Sequence, residues 1–378
     1  MRITQNFELG KYMTFELSKE QPVHGWFWYK EGYAPQIVEY ALKENPGART
    51  ILDPFCGVGT TLLAAKRAKI ESFGVDASPL AVFVSKTKTD DYEKADLEEA
   101  LAFISKKPEP AQDIDWGFEL FSPRAAFPKR NYNEILSLRS AIEQEEGRVR
   151  NLLLLALLSV LPMASLIMKD GGVLKIDNHK RALPAREIFR RKVKRMVREL
   201  ENEAQGHAPQ VMLGDARALD LPGESVDLVV TSPPYLNNID YSKIYGLELS
   251  LLDMSRSAAE EVRMRAIRSF IGKRMDVQEM PPEAGDIGLQ IPIVGTYLKD
   301  MEGAISEMHR VLRPGGSAYI VVSNSVIHQT HVLSDEIFAR MAKRLGFSDA
   351  QIIVGAERTA DVKPAKVRTR ESIVLLKK

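Results

Sequence analysis

Residues 51–61, ILDPFCGVGTT, decide the fold class of this 378-residue chain. A short apolar strand ends in an acidic residue, and a turn with Gly57 and Gly59 leads into a helix that starts near Thr60. Glycine permits positive φ angles and lets backbone approach a ligand closely. The turn lacks the third glycine of a dinucleotide fingerprint, since Leu62 stands there, and it lacks the Gly-Lys-Ser/Thr of a phosphate loop. It therefore predicts a ligand other than NAD or ATP.

Outward from this stretch, predicted strands and helices alternate in both the N-terminal and C-terminal parts of the chain. This alternation predicts an α/β fold with a mostly parallel sheet of about seven strands. The predicted strands are 50–52, 72–75, 210–213, 226–231, 317–322, 351–354 and 371–376, and the predicted helices beside them are 35–44, 60–68, 297–312 and 331–345.

Between residues 90 and 206 the pattern changes to long helical stretches. We therefore predict a catalytic domain formed by residues 1–89 and 207–378, with 90–206 as a mostly helical insertion. Residues 152–168, LLLLALLSVLPMASLIM, are nearly long enough to span a membrane, but they contain Pro162 and two serines. We interpret them as a buried helix and predict no membrane partner.

Composition excludes several classes of protein. Apolar residues make up 44% of the chain, enough for a large core, and the net charge of +1 neither suggests nor excludes a polyanionic partner. Cys56 is the single cysteine, so the sequence offers no disulfide framework and no cysteine-rich metal site. The N-terminus shows no signal-peptide pattern. We expect a cytoplasmic, prokaryotic protein with no metal site.

The motif D-P-F-C-G-x-G-T-T at residues 53–61 resembles the cofactor motif of the DNA amino-methyltransferases. The resemblance implies a Rossmann-like S-adenosylmethionine-dependent methyltransferase fold, with the 53–60 loop wrapped around the methionine moiety of the cofactor. Asp76, in FGVDASPLA, falls where the family places the carboxylate that accepts both ribose hydroxyls. Asp215, in MLGDARAL, falls where the family places the residue beside the adenine amino group.

The segment HGWFWYKEGYAPQIVEYAL, residues 24–42, resembles the family segment that closes over the methionine end. Each aspartate taken alone is better explained as a helix cap or a turn former than as a cofactor contact. Together, each after a predicted strand, they favour cofactor contact, because ligands in such sheets bind beyond the carboxyl ends of strands. The implied cofactor contacts are Lys30, Tyr33, Asp53, Pro54, Phe55, Gly57, Gly59, Thr60, Asp76, Ala77, Asp215, Ala216 and Thr231.

A second motif, Ser232-Pro233-Pro234-Tyr235, ends the apolar strand LVVT. Successive prolines fix φ and donate no N–H, so the carbonyls beside them are held as acceptors. An exocyclic amino group is a poor nucleophile because its lone pair is delocalised into the ring. The Ser232 hydroxyl and the Pro233 carbonyl can accept its two protons and turn the lone pair toward a methyl donor. Tyr235 offers a stacking face for an extruded base, worth about 1–3 kcal/mol.

These four residues are the predicted catalytic residues; a rigid proline turn is the alternative interpretation. In the family, serine at the first position resembles the N4-cytosine enzymes, whereas aspartate or asparagine is commoner in N6-adenine enzymes. The leading hypothesis is a DNA (cytosine-N4) methyltransferase that acts on a flipped-out base. The alternatives are an N6-adenine DNA methyltransferase, an RNA amino-methyltransferase, and a non-catalytic DNA-binding subunit of a modification complex.

Three further sites are predicted less directly. Asp240 and Tyr241 are candidates for the base pocket, with an ordinary capped helix as the alternative. Cys56 is interpreted as a small packing residue and not as a nucleophile. Basic residues crowd positions 180–198. The candidate phosphate contacts among them are Arg190, Arg191, Lys194 and Arg195, with a solvated helix face as the alternative.

A second basic region, 263–274, precedes a Pro/Gly-rich stretch that ends at Gly295, which we predict to be a loop ordered by DNA. The resulting hypothesis is that residues 90–206 read the target sequence and residues 255–295 assist. Double-stranded DNA is the predicted partner, and a cognate restriction endonuclease is a further one. The sequence leaves the recognition site and the oligomeric state open.

Overall fold

The first part of the chain builds one edge strand and the predicted strand-turn-helix unit. The computed structural model describes residues 1–111, 122–170, 173–203, 205–236, 241–252, 266–269, 280–362 and 365–378. The elements up to residue 89 are β1 Arg2–Gln5, 3₁₀ helices at Phe7–Tyr12, Phe15–Ser18 and His24–Trp26, α1 Gln36–Glu44, β2 Thr50–Asp53, α2 Thr60–Arg67, β3 Glu71–Asp76 and α3 Pro79–Thr89.

The middle of the chain is mostly helical, as predicted. A two-stranded antiparallel hairpin interrupts the helices, which the sequence did not indicate. The elements are α4 Lys94–Ser105, α5 Pro123–Ala126, α6 Lys129–Ile142, α7 Gly147–Ala164, β4 Ile167–Asp170, β5 Val173–Ile176 and α8 Ala185–Leu200.

The last part of the chain returns to alternating strands and helices. Its elements are β6 Gln210–Leu213, β7 Val226–Thr231, α9 Tyr241–Ile244, α10 Gly246–Leu251, a 3₁₀ helix at Pro282–Ala284, α11 Gly285–Gln290, α12 Pro292–Val311, β8 Leu312–Ser323, β9 Ser325–Ile327, β10 Thr330–Val332, α13 Ser334–Arg344, β11 Asp349–Val362 and β12 Ala365–Lys377.

The central sheet has eight strands in the order β1-β11-β12-β8-β7-β2-β3-β6. Strand β12 is antiparallel to both of its neighbours, and the other pairings are parallel. The predicted α/β fold with a mostly parallel sheet is therefore confirmed. The eighth strand is β1, which pairs with β11 from Arg2↔Gln351 to Gln5↔Val354. Strand β1 lies at the edge of the sheet and is mostly exposed, so its four residues show no apolar pattern from which a strand could be predicted.

Helix α7 contains the apolar stretch that could suggest a membrane span. Its 18 residues have a mean hydropathy of 1.4, long and apolar enough to cross a membrane. However, Leu152, Leu153, Leu157 and Leu161 are 0% exposed, and α7 packs against α3, α4, α6 and α8. The apolar face is thus covered by protein, which confirms the interpretation as a buried helix.

Two predicted boundaries in the last part of the chain are wrong. The stretch up to Gly295 is not a loop where the structure describes it, because α11 and the start of α12 occupy residues 285–295 and bury Ile293 and Val294. The helix predicted from 331 begins at Ser334, because residues 330–332 pair with β9 instead.

Candidate active site

A cavity of about 360 Å³ opens at the carboxyl ends of β2, β3 and β7. These strands are neighbours and parallel, so the residues that follow them meet at one edge of the sheet. The volume is ordinary for a small-molecule site. The cavity is lined by all four residues of the Ser-Pro-Pro-Tyr motif and by the predicted cofactor residues, except Gly59 and Thr231. One cavity therefore joins both motifs.

Gly59 packs against α3, outside the cavity lining. Its φ of 80° is a left-handed conformation, and a Cβ there would lie 2.4 Å from Ser85 Oγ on α3. A side chain is excluded by both conditions. Gly57, with φ of 49°, turns its N–H toward Asp76 Oδ2 at 2.8 Å. Both glycines have the positive φ angle that the motif predicted, but Gly59 packs against α3 and does not line the cavity.

Asp53 is buried, and donors of the protein itself occupy its carboxylate. Oδ1 accepts from Thr231 Oγ1 at 2.6 Å and from Phe55 N at 3.1 Å. Oδ2 accepts from Thr61 Oγ1 at 2.6 Å and from Tyr33 OH at 3.1 Å. Burial raises the pKa of Asp53, and these hydrogen bonds oppose the rise. Asp53 therefore ties the cofactor turn to α2, to the N-terminal segment and to the end of β7, immediately before Ser232.

Asp76 is half-buried, and its donors among the described residues are backbone N–H groups. It accepts from Gly57 N and from Ser78 N, both at 2.8 Å. Burial raises its pKa to about 6, despite these two hydrogen bonds. A carboxylate has about four lone-pair sites, so two are left for a ligand. That donor set fits a pair of ribose hydroxyls.

Asp215 lines the cavity, and its carboxylate forms an ion pair with Arg217. Arg217 donates to both carboxylate oxygens, through Nε at 2.9 and 3.1 Å and through Nη2 at 2.7 Å. The same guanidinium reaches buried Asp300 at 2.7 Å, which also binds Arg268 at 2.7 Å. The sequence predicted the position of Asp215, but it gave no indication of this ion-pair network.

The Ser-Pro-Pro-Tyr segment presents two acceptors to the cavity. The Pro234 carbonyl accepts from Tyr297 OH at 3.0 Å, and Tyr235 OH donates to Glu371 Oε1 at 3.2 Å. Among the described residues, none donates to the Pro233 carbonyl, and none bonds with the Ser232 hydroxyl. The two groups that the chemistry requires thus remain available within the described part of the chain.

Several lining residues were missed by the sequence analysis. The rings of Tyr29 and Tyr245 stack at 5.0 Å, and Tyr245 OH donates to Glu31 Oε2 at 2.7 Å. Glu371 is 5% exposed and pairs with Arg358 at 2.8 Å. The aromatic run at residues 26–29 could have pointed to Tyr29. No local signal points to Glu371, because only the pairing of β12 with β8 brings it to the site.

Two other predictions concern residues near the cofactor turn. Cys56 is 4% exposed, and burial raises the pKa of its thiol well above the usual value. A neutral, enclosed thiol confirms the interpretation as a packing residue. Lys30 lines the cavity but is exposed, and its Nζ lies 5.4 Å from the centre of the Trp28 ring.

The predicted DNA contacts on α8 are partly neutralised. Arg191 forms an ion pair with Glu187, and Arg195 pairs with Glu199 at 2.6 Å. Arg190 and Lys194 are exposed and form no ion pair with a described residue. Glu203, just after the end of α8, binds Arg67 in the last turn of α2. Because Thr60 at the first turn of α2 lines the cavity, this contact lies at the opposite end of α2.

The remaining predicted contacts lie mostly outside the described residues. Asp240 is not among them, and for Tyr241 only the backbone, at the start of α9, is described. Of the basic positions in region 263–274, Arg268 alone is described, and its guanidinium binds Asp300.

Comparisons of the sequence and of the structure show which known proteins this chain is similar to. Residues 226–377 match the family model described as DNA methylase. The type II methyltransferase M.BsoBI of Geobacillus stearothermophilus is 23% identical, over 97% of this chain and 88% of that protein. The type II methyltransferase M.AvaI of Nostoc sp. strain PCC 7120 is 24% identical, over 91% of this chain and 83% of that protein. Among solved structures, a SAM-dependent methyltransferase from Methanosarcina mazei is 11% identical with a TM-score of 0.33, over 90% of this chain and 96% of that one.

Proposed function

Because this chain belongs to the DNA amino-methyltransferase family and its cofactor is S-adenosylmethionine, we propose that it methylates the N4 amino group of a cytosine flipped out of double-stranded DNA. The observation that carries the proposal is the shared cavity. Asp76 with its two free acceptor positions and Ser232-Pro233 with theirs line the same space.

The cofactor end of the cavity is built from the 53–60 turn, Asp76 and the Asp215 region. Asp76 would accept the two ribose hydroxyls, and Ala77 and Ala216 border the space for the adenine ring. When bound, S-adenosylmethionine supplies a methyl group on a positively charged sulfur. For Asp53, which lines the cavity, we propose an indirect role. Its oxygens accept from Thr231, Thr61, Phe55 and Tyr33, so it would position the turn against the catalytic strand.

The base end is built from the Ser-Pro-Pro-Tyr segment. The Ser232 hydroxyl and the Pro233 carbonyl accept the two hydrogens of the target amino group and direct its lone pair toward the cofactor end. The ring of Tyr235, held at its hydroxyl by Glu371, offers a stacking face for the base. The new nitrogen–carbon bond would replace the carbon–sulfur bond of the methyl donor, which would leave as a neutral thioether, and one amino proton would be released to solvent. No cysteine nucleophile is required, which agrees with the burial of Cys56.

Ser232 also supports cytosine as the target. Serine at the first position of the motif is the form that resembles the N4-cytosine enzymes. An N6-adenine enzyme is the second candidate, because the family match covers both kinds of amino group.

Incubation with tritiated S-adenosylmethionine and either duplex DNA or transfer RNA tests the substrate class. Label is expected in duplex DNA and absent from RNA, and Ser232→Ala should abolish most of it. Label found in RNA alone would contradict the proposal. No incorporation by the wild-type protein into DNA of any sequence would favour a non-catalytic subunit instead.

The helical insertion at 90–206 is proposed to read the target sequence, with contacts from Arg190 and Lys194 on α8, which are exposed and form no ion pair with a described residue. Charge reversal at both should weaken DNA binding and reduce its salt dependence without changing cofactor affinity. Unchanged DNA binding would remove α8 from the interface. A restriction endonuclease with the same site is the proposed partner in the host, since the relatives are type II methyltransferases. Protection of methylated plasmid from that endonuclease would test this pairing.

A further inference from the structure

Five carboxylates line the cavity in the described part of the chain: Glu31, Asp53, Asp76, Asp215 and Glu371. Three of them already have strong protein partners. Asp53 is bonded to hydroxyl and backbone donors, Asp215 is paired with Arg217, and Glu371 is paired with Arg358. Asp76 has its two backbone donors and fits a ribose. The proposed reaction assigns no role to the fifth carboxylate, Glu31.

The Glu31 side chain has a hydroxyl partner, and no cation among the described residues forms an ion pair with it. Tyr245 OH donates to Oε2 at 2.7 Å. Two lysines lie close enough to act on Glu31 electrostatically, but each is engaged elsewhere. Lys169 pairs with Glu248 at 3.2 Å, and Lys30 Nζ lies over the Trp28 ring. Within the described ranges, no lysine or arginine forms an ion pair with Glu31.

The surroundings of Glu31 make this arrangement unfavourable without a ligand. Glu31 is half-buried, and burial raises its pKa even though the Tyr245 hydroxyl opposes the rise. A carboxylate withdrawn from water is stable only when it is paired and hydrogen-bonded. The protein supplies the hydrogen bond, and a cationic ligand would supply the charge.

The position of Glu31 places that charge at the cofactor turn. Its neighbour Tyr29 lies against Gly57, since a Cβ at Gly57 would be 3.4 Å from Tyr29 Cε1. Tyr29 stacks on Tyr245, the donor to Glu31. The two rings and the carboxylate therefore form one wall beside the 53–60 turn, at the end of the cavity where the methionine moiety is expected.

We propose that Glu31 binds the α-ammonium group of the methionine moiety of S-adenosylmethionine. The proposal rests on the cofactor assignment and names the group that recognises one part of it. An ammonium donates hydrogen bonds and a sulfonium cannot, so a carboxylate with free acceptor positions selects the ammonium.

Calorimetric titration of the full-length protein with three ligands tests the proposal. S-Adenosylmethionine carries both the ammonium and the carboxylate, its decarboxylated form keeps the ammonium, and 5′-methylthioadenosine has neither. Glu31→Gln should weaken the first two by about 10- to 100-fold, the range expected for a hydrogen bond to a charged group. Binding of 5′-methylthioadenosine should change less than about twofold, within the scatter expected for an unaffected site.

The control variant is Glu16→Gln, which removes a charge from the same N-terminal segment at a side chain that is 70% exposed. It should leave all three affinities unchanged. Equal weakening of 5′-methylthioadenosine by Glu31→Gln would show a general effect on the pocket and overturn the proposal. So would an unchanged affinity for the decarboxylated cofactor. Failure of the wild-type protein to bind any of the three would overturn the cofactor assignment itself, and the role of Glu31 with it.

Discussion

Substitution of Asp53 tests whether its carboxylate holds the site together or contacts the cofactor. In Asp53→Ala, Thr231 Oγ1 and Phe55 N lose the acceptor that now lies at 2.6 and 3.1 Å. Thr231 lies at the buried end of β7, and Phe55 lies in the 53–60 turn. Each unsatisfied buried donor costs about 1–3 kcal/mol, so the variant should be destabilised by about 2–6 kcal/mol.

Asp53→Asn should behave differently, because an amide can satisfy the same neighbours. Its oxygen can keep the bonds from Thr231 and Phe55. Its NH₂ group would face Thr61 and Tyr33, whose hydroxyls can turn to the Val230 carbonyl, already 3.3 and 3.2 Å away. Only the charge is lost, so the expected destabilisation is about 1 kcal/mol.

Urea unfolding without cofactor, followed by circular dichroism, measures both values. The expected order is wild type, then Asp53→Asn close behind, then Asp53→Ala well below. Equal destabilisation by the two variants would refute the reasoning from hydrogen bonds. Full stability of Asp53→Ala, combined with loss of cofactor binding, would instead restore Asp53 as a direct ligand.

Three further predictions concern the cavity. Burial raises the pKa of Asp76 to about 6. Protonated Asp76 therefore stabilises the ligand-free fold at low pH, and this contribution is lost as the pH rises through 6. Binding of the ribose hydroxyls needs the charged carboxylate. As the pH is lowered through 6, the cofactor affinity of the wild-type protein should therefore decrease, whereas that of Asp76→Asn should be weak at every pH. Calorimetry across this pH range measures both affinities. A parallel decrease in both proteins would show that another group is responsible. Ser232→Ala should lower kcat by about 10²-fold with cofactor Kd unchanged, and Asp76→Ala should mainly raise that Kd; equal loss of cofactor binding in both would show that the division of roles is wrong. Gly59→Ala should lower the thermal midpoint, because its Cβ would lie 2.4 Å from Ser85 Oγ at a φ of 80°; an unchanged midpoint would mean that α3 can move aside.

Local sequence predicted the strand-turn-helix unit well because each of its signals acts within a few residues. The apolar strand, the glycines and the helix start at Thr60 all lie within residues 51–61, and the structure has them where they were expected. The same holds for β7 and the segment that follows it. Their meeting in one cavity follows from strand order, since parallel neighbours end at the same edge.

The predicted loop up to Gly295 shows where local signals mislead. Prolines and glycines at 281–295 suggest a break, but Pro292 stands in the first turn of α12, where its missing N–H costs nothing. Gly288 and Gly295 are there for packing: a Cβ at Gly295 would lie 2.6 Å from Met280 Sδ. Glycine is required at these two positions because a side chain would clash with Met280, and not because the chain must be flexible there.

The partners of the site carboxylates could not be predicted, because they come from distant parts of the chain. Glu371 reaches Tyr235 through the pairing of β12 with β8. Arg217 is close to Asp215 in sequence, but its second partner, Asp300, lies on α12. The sequence named Asp53, Asp76 and Asp215 but neither Glu31 nor Glu371, and it could not show which of the five cavity carboxylates the protein neutralises itself. That distinction changes the role of Asp53 and draws attention to Glu31.

The identity of the methylated nucleoside tests the central claim most directly. Duplex DNA would be treated with the protein and S-adenosylmethionine labelled with deuterium in its methyl group, digested to nucleosides and analysed by mass spectrometry. We expect the label in N4-methyldeoxycytidine, formed about 10²-fold more slowly when Ser232→Ala replaces the wild-type protein. Label found only in N6-methyldeoxyadenosine would contradict the assignment of cytosine, and label in neither nucleoside would contradict amino-group methylation of DNA.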